Sequence, residues 1–325
     1  MATSQATEAS QCQVTINYQN AEAGQAGVFY FPLPTGEYSL TATVKGENGG
    51  VNVSYTTTKA KSVTIAAGNI KNVTLTSVVS AANYIPQGYA LMSGSKTVCQ
   101  NTSDEYRYMI YGDKDEKWHE MVDIGITTND KKVLFATMNI GATLPADAGN
   151  YYGWGETEPQ SSKFYNWANY KYGNSITDLS KYNSSDGLTT LEDTDDAAYV
   201  NWGTSFRMPT ENELRQLVST SKCTWTWTQK INSQGTSYNG YNFACKTNTN
   251  NNDSIFLPAS GQYYNEDGTL WEYNNQRGFY WTRTLYSGGK EFGVRLSIIY
   301  NTSPVVKDNY SYRFTGLTIR PVAEL

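Results

Sequence analysis

The stretch "DDAAYVNWGTSFRMPTENEL", Asp195 to Leu214, contains two helix starts separated by a turn. Thr210 followed three residues later by Glu213 is a capping box, in which hydroxyl and carboxylate each satisfy an orphan amide of the first turn. Leu214, Leu217 and Val218 then form an apolar stripe. Just upstream, "DTDDAAYVNW" opens with acids, where the helix dipole favours negative charge. Two short helices are therefore predicted. Strands "KVLFATMNIG" and "DSIFLPASGQYY" surround them, and Phe279 to Val322 reads as three or four further strands joined by tight turns. Few short helices among many strands predict an α+β domain on an irregular antiparallel sheet.

Working towards the amino terminus, the texture changes. From about residue 12 to 79 the runs "QVTINYQ", "GVFYFPL", "EYSLTATVKG", "VNVSYTTT", "SVTIAAG" and "NVTLTSVV" are rich in Thr, Val and Tyr and punctuated by Gly and Pro. Tyr38, Leu40, Ala42 and Val44 alternate with polar residues, the period of a half-buried strand. Six such runs predict an all-β sandwich over residues 12–80, of the kind that serves as a stalk, after a disordered tail at 1–11. Pro86 and Gly88 mark a junction. Residues 81–117 are a connecting segment whose strands, from 89 on, could belong to either neighbour, and 118–325 is the α+β domain.

Composition narrows the function classes. The 325 residues include 26 Tyr and 8 Trp, yet only 17% are charged, so Asn, Ser, Thr and Tyr must supply much of the polar surface. Such a surface suits extracellular recognition. A net charge of −5 without clustered Lys and Arg argues against nucleic acid as a partner. No run approaches the ~20 apolar residues of a membrane helix. The opening "MATSQATEASQCQVTI" lacks an apolar signal core, and is read as a mature form carrying an added Met. "EASQC" also lacks the apolar residue that a lipid-anchor cleavage site at Cys12 would need. Four cysteines, Cys12, Cys99, Cys223 and Cys245, permit two disulfides without requiring them. Folding "CTWTWTQKINSQGTSYNGYNFAC" about Gln234 sets Cys223 opposite Cys245, Trp225 opposite Phe243 and Trp227 opposite Tyr241, a register favoured by cross-strand aromatic pairs. A slip of two residues, or two unbridged buried thiols, remains open.

Seven phrases occur in one order: "VDIGI…VLFATMNIGA", "NYYGWGETEP", "DDAAYVNWGTSFRMPTENEL", "CTWTW", "DSIFLPASG", "FYWTRTLYS" and "GLTIRPV". Together they resemble the Fibrobacter succinogenes major paralogous domain of Bacteroidota surface proteins, over about residues 118 to 323. That family is similar to C-type lectin-fold proteins, so the resemblance implies short helices beside a small irregular sheet whose C-terminal strands form an exposed face. Phe206 stands where the family commonly has Trp, and the loop after Trp227 is longer than usual. The N-terminal β-domain lies outside the match and resembles the spacer domains of surface proteins and pilins.

Candidate chemistry is sparse. His119 is the only histidine, no Gly-x-Ser-x-Gly elbow is present, and the resemblance places His119 just before a strand, as packing. Glu156 with Glu158, and Asp193 with Asp195 and Asp196, are paired carboxylates of the kind glycosidases use, though Glu156 beside Trp154 also suits bonding to loop amides. Cys223 within a Thr/Trp strand reads as structural, unlike the reactive cysteines of formylglycine-generating enzymes. Glu158-Pro159-Gln160 resembles a lectin calcium tripeptide, and Trp167 and Asn169 follow it without the acid a true site adds. No cofactor is expected beyond, at most, a structural calcium there or near Asp193, Asp195 and Asp196.

What remains is the C-terminal stretch. The resemblance implies that Leu296, Arg313, Gly316, Arg320, Pro321 and Val322 hold the fold, while residues between them vary. Some family members carry this segment as the target of diversity-generating retroelements, and "SGGKEFGVRLSIIYNTSPVVKDNYSYRF" has that look. Phe292, Val294, Ile298 and Ile299 cannot all fill a core if the strand alternates. Arg283, Tyr286, Arg295, Ser297, Asn309, Ser311, Phe314 and Thr315 are taken as ligand-contact residues, because tyrosine and arginine give large contact at low entropy cost. The function expected is a non-enzymatic, surface-displayed binding protein for a surface protein or glycan. The alternatives are a pilus or fibre subunit with such partners, and a glycan-active enzyme.

Overall fold

Strands dominate the protein, as its Thr- and aromatic-rich runs require. A computed structural model describes residues 36–40, 43–48, 51–56, 61–65, 85–86, 88–160, 164–246, 253–264, 269–271, 273–306 and 309–325, the first four stretches as strand backbone only. The chain divides into two units, Met1–Leu40 with Lys61–Thr74, and Thr41–Ala60 with Leu75–Leu325. Its first strands are β1 (Gly36–Leu40), β2 (Thr43–Asn48), β3 (Val51–Thr56) and β4 (Lys61–Ile65). In the first unit β1 pairs antiparallel with β4; in the second, β2 pairs with β3, closing at Asn48↔Val51. The run Glu37–Gly46 is therefore two strands with different partners, not the single alternating strand expected. The runs at 13–19, 27–33 and 72–79 and the tail at 1–11 lie outside the described residues. What the described part of 12–80 contains is two two-stranded ladders.

The second unit continues with β5 (Tyr89–Leu91), β6 (Val98–Asn101), β7 (Arg107–Gly112), β8 (Lys117–Thr128) and β9 (Lys131–Ala136). Helices α1 (Ala197–Trp202) and α2 (Glu211–Leu217) follow, then β10 (Cys223–Ile231), β11 (Ser237–Cys245) and β12 (Ser254–Pro258). The last strands are β13 (Ser260–Tyr263), β14 (Leu270–Trp271), β15 (Arg277–Leu285), β16 (Phe292–Ile299), β17 (Tyr310–Tyr312) and β18 (Val322–Glu324). They assemble as a six-stranded sheet β18-β9-β8-β7-β6-β5, a three-stranded sheet β10-β11-β12 and a five-stranded sheet β14-β13-β15-β16-β17.

Residues 89–112 thus belong to the six-stranded sheet. A domain boundary at 118 would cut that sheet between β7 and β8, which pair from Arg107↔Val122 to Gly112↔Lys117. The connecting-segment assignment is corrected on this ground. His119 likewise lies within β8, opposite Ile110, not before it. Asn129 and Asp130 both take positive φ, 50° and 61°, and close the β8–β9 hairpin between Thr128 and Lys131. Asn and Asp tolerate that conformation, which the tight two-residue hairpin turn demands.

The capping box forms as read: Thr210 Oγ1 accepts from Glu213 N, and Glu213 Oε2 accepts from Thr210 N at 2.8 Å. Asp196 caps α1, accepting from the amides of Ala198 and Tyr199. In the β10–β11 hairpin Cys223 faces Cys245, Trp225 faces Phe243 and Trp227 faces Tyr241, the register predicted from the sequence. The thiols of Cys99 and Cys223 are buried, and burial pushes them up to about 11 and about 12.

One core lies around Trp154, Trp281, Tyr152 and Phe279; a second joins β8, β9, α2, β11, β12 and β16 through residues such as Phe135, Leu217, Phe243 and Leu296. The indoles of the first core are pinned by carbonyls, Trp154 Nε1 to Thr282 O at 2.9 Å and Trp281 Nε1 to Tyr152 O at 2.8 Å. β16 must come very close to Trp154, and Gly293 makes this feasible. A Cβ at 293 would stand 2.6 Å from Trp154 Cδ1, inside contact distance with a fully buried ring. Gly293→Ala is expected to cost about 1–3 kcal/mol by overpacking, measured as a lower urea midpoint at unchanged slope. Alkylation of Cys99 and Cys223 near pH 8 is expected to run at least about 100-fold slower in the folded protein than in urea, read by mass spectrometry, since the thiolate is the reactive form.

Candidate functional site

Alternation along β16 builds the site. Val294, Leu296 and Ile298 are buried in the second core. Arg295, Ser297 and Ile299, of opposite parity, line a cavity of about 380 Å³ together with Gln262, Tyr273 and Asn309. Val294 and Ile298 are therefore the core residues among the four in question, while Phe292 and Ile299 are only half-buried.

The centre of the cavity is Arg295. Its guanidinium carbon lies 4.3 Å from the Phe279 ring centroid, a cation–π arrangement. Nε donates to Asn309 Oδ1 at 3.1 Å and Nη1 to Gln262 Oε1 at 3.0 Å. Asn309 Nδ2 in turn donates to Ser297 Oγ at 2.7 Å, and Gln262 Nε2 to the Tyr273 hydroxyl at 2.9 Å. Burial pulls Arg295 down to about 10, which leaves it charged at neutral pH. A second guanidinium, Arg277, lies 4.9 Å over the Tyr273 ring. No carboxylate lines the cavity, and neither arginine has an ion-pair partner among the described residues.

Of the eight residues singled out from the sequence, three converge here: Arg295, Ser297 and Asn309. Tyr286 lies elsewhere, half-buried and stacked on Tyr310 at 4.1 Å. The other four are corrected. Arg283 donates to Leu191 O and Asp193 Oδ1, fastening β15 to the loop before α1. Ser311 is buried and bonds Thr315, itself fully buried. Phe314 is a core residue 5.1 Å from Trp167 and 5.4 Å from Tyr312. Gln262, Tyr273 and Arg277 were not found from the sequence, because they arrive through β13 and the turn before β15, outside the stretch that looked variable.

Beside the cavity runs a chain of aromatic side chains. Tyr286 stacks on Tyr310, Phe292 contacts Tyr310 and Tyr312 at 4.8 and 4.7 Å, and Tyr312 lies parallel to Phe314. Tyr310 is 39% exposed, which makes this ladder an accessible apolar edge on β17.

The remaining candidates are committed to structure. His119 stacks on Trp202 at 3.7 Å, with Nε2 3.1 Å from Asp115 Oδ1. Glu156 is buried and accepts from Lys171 N at 3.0 Å and from Gln160 Nε2, as loop bonding requires, while Glu158 is exposed. Gln160 of the calcium-like tripeptide is thus engaged with Glu156, and Asn169 Nδ2 with Phe164 O. Asp195 is surrounded by Lys171, Lys181 and the Tyr182 hydroxyl, which hold its carboxyl down at about 2. Asp196 accepts twice from Met208 N. These acids already have donors, so they offer a cation little. Among the described residues no group of three or more His, Cys, Asp or Glu could hold a metal ion. No described helix is long and apolar enough to cross a membrane.

A larger depression, about 1100 Å³, lies along β5 and the β6–β7 turn, and Asp104 and Glu105 line it. Asp104 hydrogen-bonds the buried Asp253, which burial and this neighbouring carboxyl push up to about 6; Arg107 Nε stands 3.7 Å away. Glycosidase acids stand about 5–10 Å apart with the sugar between them, an arrangement two carboxyls this close do not provide.

Compared with protein-family models, with curated proteins and with solved structures, the chain matches none.

A carboxyl held above its unfolded value contributes stability that is present at low pH and lost as pH rises from 3.8 through about 6. Relative to wild type, Asp253→Asn is expected to gain about 1–3 kcal/mol between roughly pH 4 and pH 7.5, measured by urea unfolding at both. Parallel stability curves would mean the carboxyl does not titrate in that window.

Proposed function

We propose that the protein is a non-enzymatic ligand-binding module of the cell surface, in which a C-type lectin-like head of the major paralogous type binds through its C-terminal sheet. The observation that carries this is the cavity around Arg295. A cation, two amides and several hydroxyls converge on an open concavity. Pockets of this size with few convergent polar groups are the usual place for a small-molecule or saccharide ligand. Supporting it are the buried Leu296, Arg313, Arg320 and Val322, residues that the family resemblance assigns to the frame. The described lining is made of a guanidinium pair, amides, hydroxyls and aromatic rings, groups suited to holding a ligand.

A fibre-subunit role would rest on an unpaired N-terminal edge completed by a neighbour's segment; the convergent groups around Arg295 favour binding. Asn309→Ala and Tyr273→Ala are expected to keep the wild-type unfolding profile and to lose roughly tenfold in binding across a glycan array and to intact cells. Glu158→Gln, exposed on the loop after Trp154 and not part of the cavity lining, serves as the control. Equal binding by all three variants would move the site off this sheet.

A further inference from the structure

We propose that the cavity is built for an anion on a polyhydroxylated ligand: an acidic saccharide whose carboxylate or sulfate meets Arg295. The inference rests on the binding role proposed above and names the ligand class.

Charge comes first. The chain carries a net −5, yet this cavity presents two guanidiniums, Arg277 and Arg295, and no carboxylate among the described residues. Acidic proteins do not gather unopposed arginines in one concavity without electrostatic cost. Repulsion and partial desolvation both disfavour it, and an incoming anion relieves both.

Geometry comes second. Neutral amide oxygens hold Arg295 on Nε and Nη1, and Phe279 covers one face of its plane. These partners fix the fork without cancelling its charge. Nη2 is left without a hydrogen bond among the described residues, and a guanidinium fork matches the two oxygens of a carboxylate or sulfate. An arginine meant only to brace the sheet would meet carbonyls on all sides, as Arg320 does.

The surroundings suit a sugar. Ser297, Thr302, Ser303 and the Tyr273 hydroxyl share the lining with the Asn309 and Gln262 amides. Hydroxyls, planar amides and an aromatic ring in one concavity are the groups that recognise a polyol.

The test uses the full chain and calorimetric titration with trigalacturonate, its methyl ester, a sulfated chondroitin disaccharide and poly-L-glutamate. Trigalacturonate or the sulfated disaccharide is expected to bind, with affinity falling as salt is added. The methyl ester, and Arg295→Gln tested with the acid form, should each be weaker by roughly tenfold or more. If Arg295→Gln does not fold, the acid–ester comparison on wild type decides, since it needs no variant. The proposal is overturned if neither acidic saccharide binds, if ester and acid bind alike, or if folded Arg295→Gln binds as wild type. Binding of poly-L-glutamate alone also overturns it and marks an acidic-protein site. Neutral saccharides that bind wild type and Arg295→Gln equally but are lost in Asn309→Ala would sink the anion while leaving the binding role intact.

Discussion

Two arginines buried without carboxylate partners hold this molecule together. A guanidinium has donors and no acceptor, so once buried it must be surrounded by oxygens. Arg320 donates to Asn139 Oδ1, to Ala136 O and to Phe256 O, each at 2.8 or 2.9 Å. One side chain thereby ties the end of β9, the turn after it and β12. Arg313 donates to the Tyr170 hydroxyl and to the carbonyls of Lys181 and Lys290, within 5.1–5.7 Å of four aromatic rings. These long loops have little regular structure of their own. Their backbone oxygens are ordered largely because a fixed cation needs them, and the cation in turn is tolerable only because the loops close round it.

The same residue type therefore does two kinds of work in one short region. Arg313 and Arg320 are saturated by fixed oxygens, so they define shape. Arg295 is held by side-chain amides on part of its fork and borders open space, so it can do chemistry with something that arrives. What separates them is the number of satisfied donors and the access of water to the rest.

Local features were legible in the sequence, and long-range ones were not. Thr210 with Glu213, the acids before α1 and the β10–β11 register all follow from neighbours a few residues apart. They needed no tertiary knowledge. The contact residues followed a different logic, and half of them were misplaced. Asn309, Ser311, Phe314 and Thr315 read as contact residues, but alternation along β17 turns Ser311 inward and leaves Tyr310 and Tyr312 towards the outside, and past the strand Phe314 and Thr315 are buried beside Arg313. Large aromatic residues out and small polar residues in reverses the usual expectation. It arises because Ser311 and Thr315 hydrogen-bond each other and Arg313 has its own cage. The other half of the cavity escaped because β13 meets β15 in parallel, Ser260 beside Arg277, and a crossover of that kind leaves no periodic trace.

β18 lies on the outer side of β9, with Ala323 opposite Leu134, and Arg320 reaches Ala136 across 184 residues of sequence. During synthesis, β9 must therefore wait on the ribosome as a naked edge, with its carbonyls uncapped, until residues 320–324 have emerged. Such late closure lengthens the time in which the nascent chain can pair with a neighbour. The six-stranded sheet is thus completed only once β18, made long after β9, has been added to its edge.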